Sequence, residues 1–255
     1  MINSCRAKML NGEKTIGTFF HMGSSTGVEC LGLAGFDYLV IDTEHGPFDM
    51  ESASDYVRAA KLRNITPFAR IRDSSRSSVL RMLDIGVEGL VVPYVHTVDE
   101  VKKLVEYGKY YPVGLRGVAF GRGAGWGSEP FAQELTSYFE TCNRETLLIP
   151  QCETMGCLEN IEEITQIEGV DGIFIGPFDL SVALGRPAVF DDKFQESIQR
   201  ILNACKKAGK FAMIFANDAA AARAQFERGF DSVGVQMDTV LLIRALKSLI
   251  ADVRG

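Results

Sequence analysis

Eight short apolar runs, each followed by a segment whose apolar residues recur at helical spacing, alternate along the chain. No other feature restricts the fold as much. The runs are IGTFF (16–20), YLVID (38–42), PFARI (67–71), GLVVPYV (89–95), LLIPQCE (147–153), GIFIG (172–176), FAMIF (211–215) and SVGVQ (232–236). Unbroken runs rich in β-branched and aromatic residues read as strands buried on both faces, as in parallel sheets. The segments that follow them, 25–34, 49–63, 75–85, 97–109, 155–167, 191–208, 217–229 and 238–251, are long enough to be the crossover helices that parallel strands need. Glycines in AGFD, IGVEG, IEGVDG and RGFDS mark helix ends just before the next strand. Eight such units in 255 residues predict an α/β fold of the TIM (β/α)8 barrel type, with one domain over 1–255. An open doubly wound sheet competes less well, because the first strand ends in HMGSST and not in a dinucleotide-binding glycine fingerprint.

One stretch breaks the rhythm. YYPVGLRGVAFGRGAGWGSEPF, between the fourth helix and the fifth strand, is crowded with glycine and proline and runs into another helical segment near 133–142. The expectation is a Gly-rich loop and an extra helix inserted at about 111–143, at the top of the barrel, where long loops carry function. Arg116 and Arg122 would then meet an anionic substrate; surface ion pairs are the alternative role.

A net charge of −6 gives no basic stripe for nucleic acid or an anionic membrane, so neither is an expected partner. The six cysteines are scattered, without the paired spacing of a zinc site or the density of a secreted scaffold, and read as reduced thiols of a cytoplasmic protein. No run approaches the ~20 apolar residues of a membrane-spanning helix.

Chemistry in barrels gathers at the carboxyl ends of the strands. FDYLVIDTEHGPF brings Asp42, Glu44 and His45 to the end of the second strand; helix capping by Asp42 and a loop role for His45 are the plainer reading. The third strand brings Arg70 and Arg72, and the fifth Gln151 and Glu153. The sixth brings Asp179 in GPFDLS. Arg70 at a strand end needs an anion and suits a carboxylate or oxyanion. Glu153 and Asp179, from neighbouring strands, suit a hard divalent cation, against the alternative of two helix caps. Only three histidines exist, which disfavours a zinc site of histidines. The lysines fall at a strand start, on helices, in loops or near the amino terminus, which disfavours a Schiff base.

Together DTEHG (42–46), Arg70, RGV (116–118), QCET (151–154) and GPFDLS (176–181) resemble the HpcH/HpaI family of class II pyruvate aldolases, in order and over nearly the whole chain. The resemblance implies a divalent cation, magnesium, manganese or cobalt, on Glu153 and Asp179. It implies pyruvate held by Gln151 and the backbone around Phe178 and Asp179, with Arg70 on the developing oxyanion. His45 would be the base, through water, for the 4-hydroxyl of a 4-hydroxy-2-oxo acid that yields pyruvate and an aldehyde. Phe178 replaces a usually small residue, and GVAFGRGAGWG departs from the family's commoner loop, which leaves the aldehyde half open. The resemblance also places Asp84 in support of the base. Barrel geometry puts Asp84 at the far end of its helix, so Asp42 is the simpler partner for His45 within one chain. Both hold if a neighbouring subunit of a homo-oligomer, a hexamer in the family, delivers Asp84. A lyase acting on an acyl-CoA or citryl-type thioester, and a non-catalytic metabolite-binding barrel, are the alternatives.

Overall fold

The structure is a computed structural model describing residues 2–255. Eight parallel strands, β1 (Thr15–Phe20), β2 (Tyr38–Asp42), β3 (Thr66–Arg70), β4 (Gly89–Val92), β5 (Leu147–Cys152), β6 (Gly172–Ile175), β7 (Phe211–Ala216) and β8 (Ser232–Met237), close in sequence order, with β8 paired to β1. The predicted TIM barrel is what the chain forms, each strand within two or three residues of its apolar run.

The helices are α1 (Ser4–Leu10), α2 (Ser25–Leu33), α3 (Met50–Leu62), α4 (Arg76–Asp84), α5 (Val98–Gly108), α6 (Leu135–Glu145), α7 (Met155–Glu159), α8 (Ile161–Gln166), α9 (Pro177–Ala183), α10 (Asp192–Ala208), α11 (Ala219–Arg228) and α12 (Asp238–Arg254). Their starts follow the local chemistry. Asp49 and Thr97 head capping boxes with Ser52 and Glu100, and the side chain of Asp191 accepts from the Phe194 N–H. The helix expected over 155–167 is two short ones meeting at Asn160. Among the described residues, no helix is long and apolar enough to cross a membrane.

Side chains two apart on a strand share a face, and that period stacks the barrel interior in layers. Tyr38, Val40, Phe68, Val91, Leu147, Ile149, Phe174 and Met213 fill it, and Cys5 and Met9 of α1 close it from below. At Gly17 any Cβ would sit inside the Tyr38 ring, so that ring can lie across β1 only because the residue is glycine. The same parity continues upward: Asp42 follows Val40, Arg70 follows Phe68, and Gln151 follows Ile149. The polar residues therefore project inward as the top layer, on an apolar plug.

The inserted segment lies at the opposite end from the expected one. α5 runs antiparallel to the strands, so the chain leaves it at their amino ends. There Gly121 packs against the backbone of Asp84, and Tyr138 of α6 donates to the Ala119 carbonyl at 2.7 Å. Arg116 is correspondingly unavailable to a ligand at the top of this barrel. Its guanidinium lies 2.8 Å from Asp84 Oδ1 and over the Tyr110 ring at 4.7 Å. Arg122 lines a cavity at this lower end with Ile2, Lys61 and Glu88.

Candidate active site

Asp42 and Arg70 are register partners on β2 and β3. Arg70 donates Nε to Asp42 Oδ1 at 3.0 Å and Nη2 to Oδ2 at 2.5 Å, with its guanidinium 4.9 Å over the Phe19 ring. Neither bond uses Nη1. Asp42 is fully buried and also accepts the backbone N–H groups of Glu44 and His45, at 3.1 and 3.3 Å. His21 Nε2 lies 2.7 Å from Asp42 Oδ2, an ion-pair distance with the N–H bent off the line to the oxygen. Burial alone would raise the Asp42 carboxyl, but His21 and Arg70 outweigh it and hold it far below the usual carboxylate range. Arg72 donates to the Thr43 and Phe48 carbonyls at 3.1 and 3.2 Å and so shapes the turn that carries His45.

The expected pairing of Asp42 with the His45 ring does not occur. Asp42 ends its strand pointing inward, where Arg70 and His21 take its carboxylate, and only the backbone of His45 reaches it. The His45 ring is 65% exposed and 3.7 Å from Glu44 Oε2. Asp84, at the far end of α4, meets Arg116 within the chain.

Across the barrel mouth, Glu153 is buried and accepts from the Tyr94 N–H at 2.7 Å and from Gln151 Nε2. Tyr94 holds a left-handed φ of 55° to make that bond, a strained choice for a bulky residue of the kind found at functional sites. Burial, and after it the charges of Asp179 and Glu44, push the Glu153 carboxyl up to about 7 against the Tyr94 bond. The Glu44 carboxyl is also raised, by burial. Asp179 lies in the first turn of α9. A Cβ at Gly176, just before that turn, would come within 2.8 Å of Glu153 Oε2, so glycine there keeps the space beside the carboxylate open.

Two cavities share His45, Arg70 and Asp179. One, about 430 Å³, is lined also by Glu44, Glu153, Tyr94 and His96. The other, about 220 Å³, is lined by Gln151, Phe178 and His21 over Phe19, Phe174, Phe215 and Met237. Of the residues expected at the site, all but Asp84, Arg116 and Arg122 border one of these cavities or, like Asp42 and Arg72, hold a residue or turn that does. The carboxylates of Glu44, Glu153 and Asp179 stand together around the larger cavity. Gln151 Oε1 is buried without a hydrogen-bond partner, and Glu44 Oε2, 3.1 Å from Arg70 Nε, is not aligned with its N–H. Unpaired oxygens among mutually repelling carboxylates fit a hard divalent cation.

His21 was not among the expected site residues. The signal is in HMGSST, which ends its strand with an ionisable residue just as DTEHG does.

The fold is a closed (β/α)8 barrel with ionisable residues gathered at the carboxyl ends of its strands. A family profile described as HpcH/HpaI aldolase/citrate lyase matches residues 15–245, and the chain belongs to that family. It is 33% identical over 253 residues to a hydroxypyruvate/pyruvate aldolase of Roseobacter denitrificans, covering 98% of this chain and 96% of that one. It is 34% identical over 255 residues to a 2-keto-3-deoxy-L-rhamnonate aldolase of Klebsiella pneumoniae, covering 98% and 92%. The crystal structure of a family protein from Burkholderia cenocepacia superposes with a TM-score of 0.90 at 32% identity, covering 99% of this chain and 100% of that one.

Proposed function

We propose that this protein is a metal-dependent pyruvate aldolase, which cleaves a 4-hydroxy-2-oxo acid to pyruvate and an aldehyde and runs the addition in reverse. The observation that carries the reading is the buried Glu153 carboxyl, which lines one cavity with Asp179, Arg70 and His45. Glu153 and Asp179 would hold magnesium, manganese or cobalt. When bound, the cation supplies a Lewis acid that draws electrons from the substrate's keto group.

This chain's residues do the rest. Gln151 and the backbone at Phe178 and Asp179 orient the oxo-acid head, with the Phe178 ring bounding the space beside it. Arg70 keeps two donors on Asp42 and turns Nη1 to the oxygen that gains charge as the carbon–carbon bond breaks, a preorganised donor needing no reorientation. His45, exposed where the two cavities meet, takes the proton of the 4-hydroxyl.

We also infer a homo-oligomer, a hexamer as in the family resemblance, located in the cytoplasm, in which Asp84 of a neighbouring copy supports His45. What supports it is α12, where Leu242, Ile243, Leu246, Leu249, Ile250 and Val253 are each at least 45% exposed. Sedimentation of the intact chain tests it; a fully active monomer contradicts it.

Pyruvate release from 4-hydroxy-2-oxo acids tests the activity. Cleavage is expected with added magnesium or manganese and abolished by EDTA, with no borohydride-trapped pyruvate adduct. His45→Ala is expected to lose about 10²–10⁴ in rate while still binding pyruvate. Full activity in EDTA, or an unchanged His45→Ala rate, overturns the reading.

A further inference from the structure

The reading above gives His21 no task, yet His21 is the better-positioned histidine of the site. It stands at the top of β1, with its own backbone N–H on Asp238 Oδ1 at 2.8 Å and that of Met22 on Oδ2 at 3.0 Å. Its side chain is 18% exposed, against 65% for His45. Nε2 lies 2.7 Å from Asp42 Oδ2 with its N–H bent off the line; a carboxylate only accepts hydrogen bonds, so this contact favours the tautomer with the proton on Nε2 and Nδ1 as the acceptor. A carboxylate on one imidazole nitrogen fixes the tautomer and stabilises the cation formed when the other nitrogen takes a proton. Asp42 is suited to that work, being buried and held by two donors of Arg70.

His21 also faces the right chemistry. Aldol cleavage moves protons at two separate atoms, off the 4-hydroxyl and onto C3 of the oxo acid, which becomes the methyl of pyruvate. The smaller cavity has Phe19, Phe174, Phe215 and Met237 as apolar walls, suited to a methyl group, with Gln151 and Asp179 on its polar side and His21 and His45 both bordering it.

We propose that His21, oriented by Asp42, is a second acid/base catalyst, which delivers the proton to C3 in cleavage and removes it in addition. The proposal rests on the pyruvate aldolase reading. In cleavage the 4-hydroxyl proton passes to His45 and the C3–C4 electron pair becomes the enolate. C3 then takes a proton from the His21 imidazolium. Solvent water reprotonates His21 and deprotonates His45, so no further reactant is consumed.

The test is exchange of the pyruvate methyl protons in D₂O, followed by proton NMR with manganese-free, magnesium-loaded enzyme, alongside calorimetric titration of pyruvate. Wild type is expected to exchange. His21→Ala and His21→Gln are expected to slow exchange by about 10² or more with pyruvate affinity unchanged, and added imidazole to restore exchange in His21→Ala. Wild-type exchange in both His21 variants overturns this proposal alone. So does loss of exchange in step with loss of pyruvate affinity, the mark of a residue that only positions Arg70 through Asp42. A wild-type enzyme that binds no pyruvate overturns the aldolase reading along with it.

Discussion

The two sides of the barrel mouth treat charge in opposite ways. On the side of β2 and β3, the buried carboxylate of Asp42 is saturated by Arg70, His21 and two backbone N–H groups, and it stays ionised well below the usual range. On the side of β5 and β6, Glu153 is also buried, and burial followed by the charges of Asp179 and Glu44 pushes its carboxyl up instead. Both sides bury a carboxylate at a strand end; only Asp42 is in hydrogen-bond contact with a cationic side chain. On the proposed function, the difference separates a finished part of the site, which positions Arg70 before any ligand arrives, from a part that a cation from solution would complete.

Removing the counter-charge from the finished side should have the largest effect. Arg70→Ala is expected to cost about 3 kcal/mol in urea unfolding, at the low end for breaking a buried pair because Asp42 keeps His21 and two backbone donors. A loss under about 1 kcal/mol would mean the pair behaves as an exposed one and the contrast is false.

On the unfinished side the same kind of change should help. A carboxyl whose folded value is raised from 4.5 to about 7 stabilises the fold below 4.5, and that contribution is lost as pH rises through about 7. Glu153→Gln in metal-free protein is therefore expected to gain on the order of 1 kcal/mol near pH 8, with the gain vanishing near pH 4. Destabilisation at pH 8 would show that Glu153 is already compensated.

The barrel was legible in the sequence because its strands are unbroken apolar runs, and parity along them carries Asp42, Arg70 and Gln151 inward without any knowledge of packing. Positions along the chain were legible too; partners were not. DTEHG announces three ionisable residues at one strand end, but whether Asp42 meets His45 or Arg70 depends on the neighbouring strand's register. His21 is not announced by HMGSST, because a single ionisable residue before a turn has no partner visible along the chain. The Gly-rich segment lies at the lower end of the barrel, which its composition does not reveal: composition says loop, and only the direction of α5 says which end. α9 was hidden within GPFDLS, where Pro177 at the first turn and Asp179 in that turn both favour a helix start.

Titrating manganese into metal-free protein by calorimetry, near pH 8 and near pH 5.5, tests most directly whether the unfinished side is a cation site. The account predicts binding near pH 8, weaker by about tenfold or more near pH 5.5 as protons compete for Glu153, and no binding in Glu153→Gln. Binding that is equal at both pH values and indifferent to that substitution would contradict it.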